Sequence, residues 1–187
     1  MDISDIIKKR RATPPRFMAK KELEKELILT LLENANWAPN HKKTEPWRFW
    51  VFQGESKQRL SESVFNLLEK EKSNGELVNM QKAEKFRDNL MRAPVAIAII
   101  MQRDAGERIS EWEEVAAVSM AVQNMWLTAT QMELGAFWST PPFLPLIQQH
   151  LNLGTGQKLL GFFFVGHIAM DYPSPGRGPV SEKVQWK

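Results

Sequence analysis

A chain of 187 residues suffices for one domain with a substantial core, and its 43% apolar and 25% charged content belongs to a folded protein. The formal net charge is +3 and there is no cysteine, which excludes thiolate nucleophiles, disulfides, cysteine-held zinc and iron–sulfur clusters. The positive charge is local: residues 1–20 hold Lys8, Lys9, Arg10, Arg11, Arg16 and Lys20 against Asp2 and Asp5, a pattern that suits a small anion better than a nucleic-acid backbone.

Residues 2–11 read as a short helix with Ile3, Ile6 and Ile7 on one side. Charges interrupt those isoleucines, so the segment lacks the continuous apolar core of a signal peptide, and the expected location is the cytoplasm. Thr13-Pro14-Pro15 ends this helix, because proline removes a donor and restricts its predecessor. The next helix spans 20–38, where Leu23, Leu27, Leu31 and Ala35 recur at four-residue steps beside Ile28 and Leu32. Ala38-Pro39 closes it and opens a polar loop, Asn40-His41-Lys42-Lys43-Thr44-Glu45. Pro46 stiffens the entry into an aromatic strand over 47–53. A helix at 55–70, a turn at Ser73-Asn74-Gly75 and a helix at 76–91 follow. Val95 to Met101 is apolar on both faces and therefore a central strand.

Residues 111–134 give the longest helix, apolar on nearly every side, which predicts burial in the core or at an oligomer interface. Its first turn carries Glu111, Glu113 and Glu114, where acids suit the positive helix end, and no catalytic role is assigned to them. Gly135 is expected to cap this helix. A strand at 136–139, a helix at 143–152 and a strand at 159–167 complete the elements, and a Pro/Gly-rich tail covers 168–187. The fold class is α+β, a single domain over 1–187. No apolar run approaches the ~20 residues of a bilayer-spanning helix. His41, His150 and His167 stand far apart, so no catalytic metal site is expected.

Four segments carry chemistry. Arg10 and Arg11 present planar forks that suit phosphate, although alone they also read as the solvated end of a basic helix. The loop from Asn40 to Thr44 is either an exposed turn or a cationic edge for a ligand, with Trp37 just before it. Gly135-Ala136-Phe137-Trp138-Ser139-Thr140 is either a buried edge strand or a strand passing a ligand. Arg177, within Gly176-Arg177-Gly178-Pro179, is by itself a charged tail residue.

The order and spacing of these segments resemble the nitroreductase family of FMN-dependent oxidoreductases, in its short, compact branch. Arg10-Arg11 stands where that family often has Arg-Arg-Ser, and Ala38-Pro39-Asn40-His41 leading to Pro46-Trp47 matches its Ala-Pro, polar-loop, Pro-Trp segment. Gly135 to Trp138 matches its glycine-then-tryptophan strand, and Arg177-Gly178-Pro179-Val180-Ser181-Glu182 its closing motif. Two positions depart: Ala12 replaces the usual serine, and Ser139 an arginine frequent in compact relatives. The resemblance implies a mostly antiparallel sheet flanked by helices and an intertwined homodimer, with the tail packed on the partner subunit. It also implies non-covalent FMN held by Arg10, Arg11, Ala12, Trp37, His41, Trp138, Ser139, Thr140 and Arg177. NADH or NADPH would be the reductant, and a nitroaromatic, quinone or similar small electrophile the acceptor, in ping-pong order. The flavin carries the chemistry, so no catalytic side chain is expected. A flavin-binding module without nicotinamide turnover and a basic interaction protein are the competing readings.

Overall fold

The structure, a computed structural model, describes residues 2–173 and 176–187. Among these residues, six α-helices and four strands follow in chain order: α1 (Ile3–Lys9), α2 (Lys25–Asn36), β1 (Trp47–Gln53), α3 (Gly54–Ser73), α4 (Met80–Arg92), β2 (Val95–Gln102), α5 (Glu111–Gln131), β3 (Leu134–Ser139), α6 (Leu144–His150) and β4 (Gln157–His167). The strands form one sheet in the order β1-β2-β4-β3, every neighbouring pair antiparallel. The α+β class and the antiparallel sheet expected from the sequence are what the chain adopts.

Two helix layers explain why β2 and β4 are apolar on both faces. Alternate residues point to opposite sides of a sheet. Val95, Ile97, Ile99, Phe163 and Val165 pack under α2 and α5, while Ala96, Ala98, Ile100, Phe162 and Phe164 pack under α3, α4 and α6. At the β2–β4 pairing the register slips between Ile99 and Ile100, beside Gly161. Gly161 has φ +134°, and a Cβ there would lie 2.5 Å from the Ser139 carbonyl oxygen, so no other residue fits.

Several boundaries differ from the sequence reading: the helix read over 2–11 ends at Lys9, so Arg10 and Arg11 lie beyond it, and three other differences have clear causes. The helix expected over 20–38 starts at Lys25, because the chain before it is tied to the sheet: the Ala19 amide donates to the His167 carbonyl oxygen at 2.8 Å, and Leu23 is buried in extended chain. The 76–91 helix begins at Met80, where the Asn79 side chain accepts from the Lys82 amide and caps it. Gly135 does not cap α5. That helix ends at Gln131, Glu133 takes the left-handed conformation (φ 58°), and Gly135 sits inside β3. Glycine is needed there for space, since a Cβ would come within 2.9 Å of Thr13 Cγ2.

Candidate functional site

The arginine segment is positioned by β3. Arg10 leaves α1 with extended backbone (ψ 129°), and the chain then runs along the sheet edge. Ala12 makes a parallel bridge to Ala136, and the Thr13 amide donates to the Ala136 carbonyl oxygen at 2.8 Å. Extended backbone alternates its side chains, so Arg10 and Ala12 share one side and Arg11 and Thr13 the other.

On the first side, the Arg10 guanidinium lies 4.8 Å from the centroid of the Trp126 ring. The Trp126 indole N–H donates to the Arg11 carbonyl oxygen at 3.0 Å, and its ring meets Phe163 edge-on at 5.6 Å. Phe163 pairs in turn with Trp138 across β3 and β4. Arg177 returns from the tail to this place. Burial, then the neighbouring charge of Arg177, then that of Arg11 hold the Arg10 guanidinium below its ordinary value. Among the described residues no carboxylate pairs with Arg10, Arg11 or Arg177.

On the second side, Arg11 and the buried Thr13 line a cavity of about 570 Å³ with Lys9, Thr130, Glu133 and Tyr172. Thr13 thus faces away from Ala12 and does not restore a hydroxyl on the Arg10 side.

The His41 loop is built differently. His41–Lys43 is a short 3-10 turn, and Lys42, Lys43 and Glu45 all hold positive φ, between 43° and 55°. Each such non-glycine residue costs of order 1–3 kcal/mol, so surrounding bonds must enforce the shape. They do. The Glu45 amide donates to Asn40 Oδ1 at 3.1 Å, Lys42 Nζ to the Arg108 carbonyl oxygen at 3.0 Å, and His41 Nδ1 sits 2.6 Å from Glu113 Oε2. The hydrogen bond from His41, ahead of smaller effects, holds the Glu113 carboxyl below the usual carboxylate range. Behind the loop, Glu114 is fully buried and accepts from Arg103 and from the Asp104 amide. Asp104 in turn pairs with Arg108 at 2.6 Å.

Within one chain the loop and the arginines do not meet. Glu113 and Trp126 lie on the same helix thirteen positions apart, about 20 Å at 1.5 Å per residue. Trp37 is also apart from the arginines, 78% exposed in a groove with Ile3, Ile6 and Leu127. Trp138 packs on the arginine side, in the core cluster that holds Phe163 and Trp126, and its indole N–H is buried without a partner. Ser139 and Thr140 reach a cavity of about 310 Å³ on the other face of the sheet, beside Lys82, Lys85 and Asn89, which Trp138 also borders. The structure therefore groups Arg10, Arg177 and Trp138, sets Arg11 on the reverse side, and leaves Trp37 and His41 elsewhere.

Sequence reasoning missed Trp126, which it read as core within an apolar helix, and missed Glu113 as the partner of His41. The usable signal for Trp126 was its N–H, since a buried indole needs an acceptor.

The profile of the Nitroreductase family matches residues 7–167. The chain is 32% identical over 152 residues to YfhC of Bacillus subtilis, named as a NAD(P)H nitroreductase, an alignment covering 81% of this chain and 76% of YfhC. Among solved structures, a nitroreductase-like family protein from Bacillus cereus superposes with TM-score 0.83 at 28% identity, covering 100% of this chain and 96% of the other. A mutant of the FMN and NADPH-dependent nitroreductase NfnB from Sphigopyxis sp. strain HMH shares the fold with TM-score 0.78 at 17% identity, covering 100% and 99%.

Proposed function

The chain belongs to the nitroreductase family, and on that footing we propose that it is an FMN-dependent oxidoreductase that takes reducing equivalents from NADH or NADPH. When bound, FMN supplies the redox chemistry: a two-electron relay from the nicotinamide to a nitroaromatic, quinone or similar small electrophile, one substrate after the other. One observation carries the reading. Arg10 feels the charges of Arg177 and, from the reverse side of the arm, Arg11, and among the described residues no carboxylate lies within 4.0 Å of any of the three. Collecting like charges is unfavourable unless an anion joins them, and a phosphate monoester carrying close to two charges fits that donor set.

The residues divide the work. Arg10 and Arg177 hold the phosphate, with Arg11 adding charge from behind. Ala12 contributes backbone and leaves room. Trp138 forms the floor beside Phe163, while Ser139 and Thr140, opening onto the other face of the sheet, take part through the backbone at the end of β3. His41 and Trp37 serve the site from a second copy of the chain, in a homodimer. Two observations support that assembly. The His41 loop is pre-shaped yet lies about 20 Å along α5 from the arginines of its own chain. Ile3, Ile7, Trp37 and Met120 are exposed apolar side chains on α1, at the end of α2 and on α5. A two-fold interface across these helices buries that surface and brings each loop to its partner's arginines. The tail around Val180, Val184 and Trp186, also exposed, packs on the partner subunit.

Purified protein should be yellow, or take up FMN at micromolar concentration. Anaerobic NADH or NADPH should bleach the flavin band, and parallel double-reciprocal lines should follow with quinone or nitroaromatic. Colourless protein that ignores added FMN overturns the reading. Flavin that neither nicotinamide reduces supports the binding module instead. Sedimentation velocity tests the dimer, and a fully flavin-loaded monomer excludes it.

A further inference from the structure

We propose that Trp126 is a positioning residue for the phosphate arm of the flavin nucleotide, acting through Arg10 and Arg11; the inference rests on the FMN reading above. Two contacts carry it. The indole face lies under the Arg10 guanidinium at 4.8 Å, and the indole N–H holds the Arg11 carbonyl oxygen at 3.0 Å. One side chain thus fixes both the charged head of one arginine and the backbone of the next.

The electrostatics explain why such a support is needed. Arg10 feels the charges of Arg177 and Arg11, and among the described residues no carboxylate comes within 4.0 Å of its guanidinium. Free of other constraints, a long cationic side chain in that position turns outward to water. The negative face of an indole attracts a cation without competing with an incoming phosphate, as a carboxylate would. Trp126 is itself held firmly. It projects from α5 and is braced edge-on by Phe163, a fully buried residue of β4. The Arg10–Thr13 arm has left α1 at this point, so the Trp126 bond and the Ala136 pairing are what fix its course.

The experiment compares FMN with riboflavin, which shares the ring and ribityl chain and lacks the phosphate. Trp126→Leu removes both contacts; Trp126→Phe keeps a ring under Arg10 and loses the N–H donor. The expected result is about a tenfold weaker FMN affinity in the leucine variant, with riboflavin affinity within about twofold of wild type. The phenylalanine variant should show a smaller loss in the same direction. A general loosening of the pocket weakens both ligands alike, so a parallel loss overturns the proposal, as does unchanged FMN affinity. Should the leucine variant not fold, the FMN-to-riboflavin ratio of Trp126→Phe decides alone, and an unmoved ratio refutes it. Wild-type protein that binds neither ligand removes the underlying FMN reading, a failure distinct from a wild type that binds both and variants that do not discriminate.

Discussion

The two ends of α5 treat positive charge in opposite ways. Near its first turn the cations around the His41 loop are largely paired, Arg103 with Glu114, Arg108 with Asp104, Lys158 with Glu111 and Lys42 with a backbone carbonyl, and His41 hydrogen-bonds Glu113. Four turns later Arg10 feels the charges of Arg177 and Arg11, and its guanidinium lies over the Trp126 ring. Paired charges fix backbone, and the left-handed residues of the loop show what that fixing sustains. Unpaired ones signal a place kept for an anion. On the proposed reading, the same guanidinium chemistry serves as scaffold at one end and as receptor at the other.

Replacing Glu114 by Ala should have the largest effect. It takes the buried carboxylate from Arg103, which keeps the Ile109 carbonyl and the more distant Glu107, and it unpairs the Asp104 amide; removal of one member of a buried pair costs about 3–5 kcal/mol. Urea unfolding would register the loss, and a variant as stable as wild type would show that the paired end is dispensable. At the other end, saturating FMN should stabilise the fold by about 2.7 kcal/mol at a hundred times its dissociation constant, read as a shift in unfolding midpoint. Arg10→Ala should weaken FMN by about 1.5–3 kcal/mol, the range for a hydrogen bond to a charged group, while leaving the unliganded fold as stable as before or slightly more so. Calorimetric titration beside thermal melts separates the two. A loss of folding stability in that variant would mean that Arg10 is scaffold after all.

The smallest effect is on acid stability. The hydrogen bond from Arg108 holds the Asp104 carboxyl low; those from Lys158 and His41 do the same for Glu111 and Glu113. Because the unfolded chain takes up protons at higher pH than the folded one, these groups stabilise above the ordinary carboxylate range. Their contribution is lost as pH falls through the depressed values. Stability should therefore decline below roughly pH 4–5. Glu113→Gln and Asp104→Asn should flatten that limb, while Arg10→Ala leaves its shape unchanged. Melts across that pH series decide.

The sequence was most legible where one pattern met one environment. β2 was readable because two helix layers make both of its faces apolar, and β1 because Pro46 fixes its entry. The paired arginines were found but assigned to a helix end, since their extended course depends on Ala136, whose pairing with Ala12 leaves no local trace. The same long-range dependence misled the reading of Gly135, whose neighbour is Thr13 and not the end of α5. For the His41 loop, residue types told of charge but not of strain. Nothing about Lys42, Lys43 or Glu45 as amino acids predicts three positive φ angles, which arise from partners on α5 and the loop before it. Trp126 was hidden by its own helix, where an apolar periodicity absorbs every large side chain.

The bridge between Ala12 and Ala136 also orders events in time. Contacts between segments far apart in the chain form late, after the loop between them has closed. The edge on which the arginine arm lies exists only once β3 has paired with β4, and Arg177 lies beyond both. During synthesis the arm must wait for β3, β4 and Arg177 to emerge. The proposed anion place joins the Arg10 arm to Arg177, so a chain in which the Ala12–Ala136 bridge has not formed lacks it, and FMN capture would mark molecules that have completed this pairing.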